Sequence, residues 1–257
     1  MTLARLEEHG RTLVVVNANA SKRGALSPDL YRVINEALTR ANDTHIRAII
    51  LASEGGFFCS GGDLNTLKER SSLSLEERRA KVQELHDLIA GLRACPVPVI
   101  AAVEGGAAGA GLSLALACDM LIAAEGAQFT ASYVKAGVVP DAGLTSALAR
   151  MLPRQLVSEM CLLARPVSAE RLAELGVVNT RVPMGAALAT AHELAAAFAR
   201  GPRTAQGTIK RLIGQAYEVD EATQLDAERE AMIRAVVDTE AQIGIAAFLE
   251  KRKPEYP

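Results

Sequence analysis

A buried strand that runs into a cluster of glycines limits most strongly what this chain can fold into. Residues 97–103 are apolar and rich in β-branched side chains, which is typical of a strand covered on both faces. Residues 112–117 are almost entirely apolar helix formers and predict a buried helix. A glycine-rich turn before such a helix gathers free backbone N–H groups and the positive end of the helix dipole, which can hold developing negative charge. The turn contains Gly105, Gly106, Gly109 and Gly111.

A second glycine-rich loop follows another apolar strand. Residues 46–52 read IRAIILA and predict a short buried strand, and the loop EGGFFCSGGDL follows it at residues 54–64. Open α/β sheets build their sites where loops leave the strands. We therefore expect both loops to lie at one edge of the same sheet.

The remaining pattern predicts an α/β core at residues 1–184 and a helical region at residues 185–257. Ser27 and Ser168 are predicted to cap the N-termini of helices, and Ser74 and Glu77 are predicted to form a capping box. Gly176 is predicted to end a helix. Strands are predicted at residues 12–17, 120–124 and 177–182. Helices are predicted at residues 28–42, 65–84, 150–164 and 168–176, and the second of these extends toward residue 97. Residues 127–145 are predicted to form a loop with a short helix.

Composition and charge narrow the classes of function. The 257 residues are 49% hydrophobic, which is enough for one sizeable core, and the net charge of −2 comes without a long basic run. We therefore expect neither a nucleic acid nor a membrane as partner. The chain has no secretory signal core and no uncharged stretch of roughly 18 residues, which favours a soluble, cytoplasmic protein. Four cysteines without CxxC spacing and four scattered histidines predict buried, reduced thiols and no metal site.

Three motifs in this order resemble the enoyl-CoA hydratase/isomerase (crotonase) superfamily. They are FFCSGGDL at residues 57–64, GGAAGAGLSLALACD at 105–119 and KAGVVPDAGLTSALARMLP at 135–153, and the likeness continues from SKRGAL to IAAFLEKRKPEY. The resemblance implies a crotonase-like spiral of ββα units with a helical C-terminal region that forms trimers, often paired into hexamers. A dinucleotide site is a poor alternative, because GxGxxG is absent.

The resemblance also implies an oxyanion hole for a thioester carbonyl. Its two backbone donors correspond to Gly62 and Ala110, where the family most often has glycine at the second position. Asp63 is expected to fix its loop by accepting backbone N–H groups. The residues expected to contact coenzyme A or the acyl group are Lys22, Arg23, Ala25, Ser60, Gly61, Asp63, Leu64, Gly109, Ser113, Tyr133, Phe248 and Lys251. For Lys22, Arg23 and Lys251 the alternative is a solvated surface charge.

The catalytic positions depart from those of the family's hydratases, which use two glutamates. Here these positions correspond to Ser113 and Tyr133, and neutral hydroxyls are poor at activating water or protonating carbon. One carboxylate remains, Asp141, at a position where isomerase branches carry an acidic base. A turn aspartate after Pro140 is the alternative interpretation.

The leading hypothesis is double-bond isomerisation of an acyl-CoA thioester, with Asp141 as base and the enolate held by Gly62 and Ala110. The alternatives are an enoyl-CoA hydratase, an oxepin-CoA-type hydrolase of aromatic degradation, and a catalytically silent acyl-CoA-binding protein. Coenzyme A is expected only as part of the substrate, with no separate cofactor. The expected assembly is a homotrimer or a dimer of trimers.

Overall fold

A six-stranded sheet forms the centre of the molecule in the computed structural model, which describes residues 2–257. The strand order is β1-β2-β3-β4-β6-β9; β1 and β2 pair antiparallel and the other pairs are parallel. A second sheet has the order β5-β7-β8. The strands are β1 Ala4–His9, β2 Thr12–Asn17, β3 Ala48–Ser53, β4 Val99–Val103, β5 Gly106–Ala108, β6 Met120–Ala124, β7 Gln128–Thr130, β8 Val167–Ser168 and β9 Thr180–Val182.

Eleven α-helices surround these sheets in the described part of the chain. Short 3-10 helices lie at Ala20–Lys22, Arg70–Ser72 and Ser132–Ala136. The α-helices are α1 Pro28–Arg40, α2 Leu64–Glu69, α3 Leu75–Ala94, α4 Ala110–Leu116, α5 Leu144–Met151, α6 Arg154–Leu163, α7 Ala169–Glu174, α8 Ala187–Ala199, α9 Arg203–Gln215, α10 Glu221–Ala235 and α11 Thr239–Leu249.

The helix-capping residues predicted from the sequence are confirmed. The Ser27 hydroxyl accepts the Leu30 N–H at 3.2 Å, and Ser74 and Glu77 form a reciprocal capping box at the start of α3. Ser168 caps α7, and Gly176 follows that helix with a φ of +77°. Local side-chain chemistry therefore determines where these helices begin and end.

Prolines explain two differences from the predicted elements. The helix predicted at residues 150–164 is two helices, because Leu152 is extended before Pro153, which cannot continue α5. The strand predicted to begin at residue 97 begins at Val99, just after Pro98, which lacks the N–H that a strand needs.

Two further predicted elements are shorter than expected. The predicted helix of residues 65–84 is divided into α2 and α3, since Leu73 has an extended backbone with φ −74° and ψ 153°. Of the predicted strand at residues 177–182, only Thr180–Val182 pairs with the sheet. The Val177 and Val178 N–H groups instead donate to the Leu172 carbonyl and close the end of α7.

The sheet separates two layers of core. Leu13 and Val15 of β2 face the layer that contains α1, α3 and α4, whereas Val14 and Val16 face the layer that contains α8. Alternation along a strand produces this division. Helix α8 thus packs on the central sheet, and α9 and α10 have no fully buried residue.

The domain division at residue 184 stays a prediction. No helix between residues 2 and 257 is long and apolar enough to cross a membrane.

Candidate active site

The two glycine-rich loops meet side by side at one end of β3 and β4. Cys59 forms a parallel bridge with Ala107, and its carbonyl accepts the Ala108 N–H at 2.9 Å. A Cβ at Gly61 would lie 2.7 Å from the Ala108 carbonyl oxygen and 3.0 Å from the Ala110 nitrogen. Gly61 also has a φ of +89°, so contact and conformation both require glycine there. The expected meeting of the two loops is therefore confirmed.

Two main-chain N–H groups are free at this junction. Ala110 is the first residue of α4, so its N–H has no acceptor within the helix. Within residues 2–257, neither the Gly62 N–H nor the Ala110 N–H donates to a protein acceptor. A Cβ built on Gly62 meets no atom within 4 Å, which shows open space beside it. Gly109 completes the turn with a φ of +54° and anchors it by donating to the Thr130 carbonyl at 2.9 Å.

The segment that carries Arg23 is hydrogen-bonded directly to the loop at Gly61. The Ser60 N–H donates to the Arg23 carbonyl at 3.0 Å, and the Leu26 N–H donates to the Gly61 carbonyl at 2.8 Å. The Arg23 guanidinium stacks over the Phe57 ring, 4.0 Å from its centroid. The predicted coenzyme A segment and the predicted oxyanion loop thus form one connected unit.

Lys22 and Asp63 form an ion pair across this unit. Asp63 also accepts the Asn65 N–H at 2.8 Å and caps α2, which is the loop-fixing role expected from the sequence. The hydrogen bonds from Lys22 and from the main chain hold the pKa of the Asp63 carboxyl below its usual value. Leu64, the first residue of α2, leaves 66% of its surface exposed beside Gly62.

Two buried asparagines that sequence reasoning missed support the same segment. Asn17 donates from its side-chain nitrogen to the Gly24 carbonyl at 2.7 Å, and Asn19 donates to the Ala25 carbonyl at 2.9 Å. Both asparagines are less than 5% exposed, so they satisfy carbonyls that water cannot reach. The sequence feature that could have indicated them is a polar pair at the end of a buried strand.

Asp141, Tyr133 and Ser113 form a second cluster. The Tyr133 hydroxyl donates to Oδ1 of Asp141 at 2.7 Å, and the buried Ser113 hydroxyl donates to the main-chain oxygen of Asp141 at 3.4 Å. Burial, followed by the charge of Asp141, raises the pKa of Tyr133 far above its usual value. Tyr133 therefore keeps its proton at neutral pH and acts as a donor.

The turn after Asp141 holds the carboxylate in place. Ala142 is buried and has a φ of +52°, an unusual value for a residue with a side chain, and Gly143 follows with a φ of +70°. Oδ2 of Asp141 has no hydrogen-bond partner among the described residues. One carboxylate oxygen thus accepts from Tyr133, and the other makes no hydrogen bond within residues 2–257.

Phe248 and Lys251 are not brought into either cluster. Phe248 lies near the end of α11 with 83% of its surface exposed, and Lys251 follows that helix with a φ of +56°. Their predicted contact with coenzyme A, across a subunit boundary, stays a prediction.

The cysteines are free, as the sequence predicted, although only Cys59 and Cys95 are fully buried and Cys118 and Cys161 are half-buried. Burial raises the pKa of the Cys59 thiol to about 12, so this thiol is no nucleophile at neutral pH. Among the residues that the structure describes, no group of three or more histidine, cysteine or acidic side chains is placed to hold a metal ion.

The fold and the paired loops define an α/β protein whose site lies between two glycine-rich turns. A sequence model of the family described as enoyl-CoA hydratase/isomerase matches residues 8–257. The chain therefore belongs to the enoyl-CoA hydratase/isomerase family, and it has the crotonase fold of an enzyme of that family.

Individual relatives agree with this assignment. The crystal structure of an enoyl-CoA hydratase from Polaromonas sp. JS666 superposes with a TM-score of 0.95 at 40% identity, over 99% of each chain. The 2,3-dehydroadipyl-CoA hydratase of Escherichia coli is 32% identical over 95% of this chain and 94% of its own. The 1,2-epoxyphenylacetyl-CoA isomerase of Escherichia coli is 34% identical over 90% of this chain and 89% of its own. These names include both hydratases and an isomerase, so they support the family without deciding the reaction.

Proposed function

We propose that this enzyme moves the double bond of a 3-enoyl-CoA thioester to the 2,3 position, with Asp141 as the base. The observation that supports it most directly is the arrangement of Asp141: one oxygen accepts from Tyr133 at 2.7 Å, and the other has no hydrogen-bond partner in the described part of the chain. A single carboxylate of this kind can take a proton from C2 and return it to C4.

The two free N–H groups supply the other requirement of the reaction. Removal of a C2 proton leaves negative charge on the thioester oxygen, and the Gly62 and Ala110 N–H groups would stabilise that charge as the enolate forms. When protonated Asp141 gives its proton to C4, the charge returns to the carboxylate and the carbonyl re-forms. Atoms and charge balance, because the product is an isomer of the substrate.

Hydration is less compatible with this site. Adding water needs one group to deprotonate it and another to protonate carbon. Tyr133 is protonated at neutral pH, because burial and the charge of Asp141 raise its pKa, so it cannot take a proton from water; the Ser113 hydroxyl already donates to the main-chain oxygen of Asp141. Hydration nevertheless remains the second candidate, since the chain is 32% identical to a protein named as a hydratase. Hydrolytic opening of the ring of an oxepin-CoA-type thioester is the third candidate reaction.

We further propose that coenzyme A enters as part of the substrate and contacts Lys22, Arg23 and Ala25. These residues belong to the segment that is hydrogen-bonded to the Gly61 loop, which supports an extended thioester lying along both. The Lys22 side chain is 57% exposed, so its ammonium group can leave the Asp63 carboxylate and pair with a phosphate of coenzyme A.

The test is a panel of 3-enoyl-, 2-enoyl- and aromatic-derived CoA thioesters, followed by absorbance and mass spectrometry. Isomerisation predicts a product of unchanged mass and a new conjugated absorbance from 3-enoyl substrates. A product heavier by one water molecule, formed only from 2-enoyl substrates, would support hydration instead. Tight binding of every thioester without turnover would support a silent acyl-CoA-binding protein.

A further inference from the structure

An arginine without a partner lies close to the proposed site. Arg70 follows α2 directly and begins the 3-10 helix Arg70–Ser72. Its Nε is buried and has no hydrogen-bond partner, and we find no ion pair or hydrogen bond for its guanidinium within residues 2–257. A buried donor on a charged group is costly when it is unpaired. A hydrogen-bond acceptor carried by the substrate would therefore give this guanidinium the partner that the described residues do not supply.

Arg70 shares its surroundings with Tyr31 and Asp141. Burial raises the pKa of the Tyr31 hydroxyl to about 12, while the charge of Arg70 acts against this rise and the charge of Asp141 adds to it. Both charges act on the Tyr31 phenol through space, and Tyr31 is half-buried with no hydrogen bond from its hydroxyl to any described residue. The nearby anion Glu84 is already paired with Lys81 at 2.7 Å.

The chain path also places Arg70 at a useful separation from the oxyanion donors. Helix α2 begins two residues after Gly62 and ends at Glu69. At about 1.5 Å per residue, the main chain of Arg70 lies on the order of 10 Å along the helix from that loop. A short acyl group whose thioester lies at Gly62 can span a distance of this order.

We propose that Arg70, assisted by the Tyr31 hydroxyl, binds a carboxylate at the far end of the acyl group, so that the substrates are mono-CoA thioesters of short unsaturated dicarboxylic acids. This inference rests on the proposed function only for the position of the thioester. A planar guanidinium matches a carboxylate through two parallel hydrogen bonds, and the phenol adds a third donor. An aliphatic acyl group itself offers neither donor an acceptor.

Binding of two saturated probes tests this recognition without requiring any reaction. Adipyl-CoA and hexanoyl-CoA have the same chain length and differ in the distal carboxylate, and isothermal calorimetry gives the affinity of each. We expect the unmodified enzyme to prefer adipyl-CoA by about tenfold or more. Arg70→Gln should remove this preference while leaving the affinity for hexanoyl-CoA within about twofold, which also shows that the variant is folded.

A control variant separates a specific contact of Arg70 from a general effect of charge, and a second variant tests the role of Tyr31. Lys68→Gln removes an exposed positive charge from α2, the helix that precedes Arg70, and should keep the full preference for adipyl-CoA. Tyr31→Phe should lower the preference severalfold without abolishing it. Equal loss of preference in Lys68→Gln and Arg70→Gln would show a general charge effect and overturn the assignment.

Turnover separates this inference from the proposed function. If 3-hexenedioyl-CoA is not isomerised but adipyl-CoA is still preferred through Arg70, the proposed reaction fails and the recognition stands. If 3-hexenoyl-CoA is isomerised as well as 3-hexenedioyl-CoA and the two saturated probes bind equally, the recognition fails and the reaction stands. Binding of neither probe overturns both.

Discussion

Asp141 is the residue on which the proposed chemistry depends. Asp141→Asn keeps the size of the side chain and removes its basicity, so turnover of a 3-enoyl-CoA should fall by roughly two to four powers of ten. Binding of the thioester should change only a few-fold, since the main-chain donors remain. Steady-state kinetics and calorimetry measure the two effects. Ser113→Ala is the matched control and should be much milder, because the Ser113 hydroxyl donates to the main-chain oxygen of Asp141, at 3.4 Å, and not to its carboxylate. Full activity of Asp141→Asn would place the base elsewhere.

Tyr133 is expected to orient the carboxylate of Asp141. Tyr133→Phe removes the 2.7 Å hydrogen bond to Oδ1, so the carboxylate can rotate away from its productive position. Turnover of a 3-enoyl-CoA should therefore fall by about tenfold or less, while binding of the thioester should change little. Steady-state kinetics and calorimetry measure the two effects.

The size of the loss separates this role from a direct catalytic one. Complete loss of turnover in a folded Tyr133→Phe variant would indicate that the phenol itself transfers the proton. Unchanged turnover would show that the hydrogen bond does not position the base.

At the scale of elements, the start of α4 and the loop at Gly62 are expected to act as one oxyanion hole. Gly62→Pro removes one of the two free N–H groups and should lower kcat about a hundredfold, corresponding to about 3 kcal/mol of transition-state stabilisation. Gly62→Ala is the control: it keeps the N–H, and a Cβ there meets no protein atom within 4 Å. Equal, full activity of both variants, with circular dichroism unchanged, would contradict the assignment.

Elements with a strong local pattern could be predicted from the sequence. The apolar runs of β2, β4 and β6 and the capping residues Ser27 and Ser74 were sufficient on their own. Strands β5, β7 and β8 have only two or three residues each, too few for any periodicity, and they exist because neighbouring segments pair with them. Strand β1 was missed because ARLEEH is charged and lies at the edge of the sheet.

The candidate site was predictable to a different degree. The glycine loops could be placed at one edge of the sheet from the order of strands and turns. That Ser113, Tyr133 and Asp141 would lie together followed only from the family resemblance, because they belong to three separate elements. Arg70 could not be predicted, since what distinguishes it is the lack of a partner in three dimensions.

At the scale of the whole molecule, the helices after residue 200 carry large exposed apolar side chains. A cavity of about 630 Å³ also lies between α9, α10 and α11. Apolar surface of this extent indicates an interface. The exposed side chains are Ile209, Ile213, Leu225, Met232, Ile233, Val236, Val237, Ile245, Phe248 and Leu249.

We therefore expect the protein to form a trimer or a hexamer through residues 185–257. Sedimentation velocity at micromolar concentration should show a species of three or six chains. A monomer that still binds CoA thioesters normally would contradict both the interface and a nucleotide pocket completed by Phe248 and Lys251 of a neighbouring copy.

The most direct measurement of the central claim uses a 3-enoyl-CoA that carries two deuterium atoms at C2, with the product analysed by mass spectrometry and NMR. Isomerisation through Asp141 must break one C2–deuterium bond. The account predicts a 2-enoyl-CoA with one deuterium left at C2, the other moved to C4 or exchanged with solvent, and no added water. A product that retains both deuterium atoms at C2, or that contains an added water molecule, would contradict it.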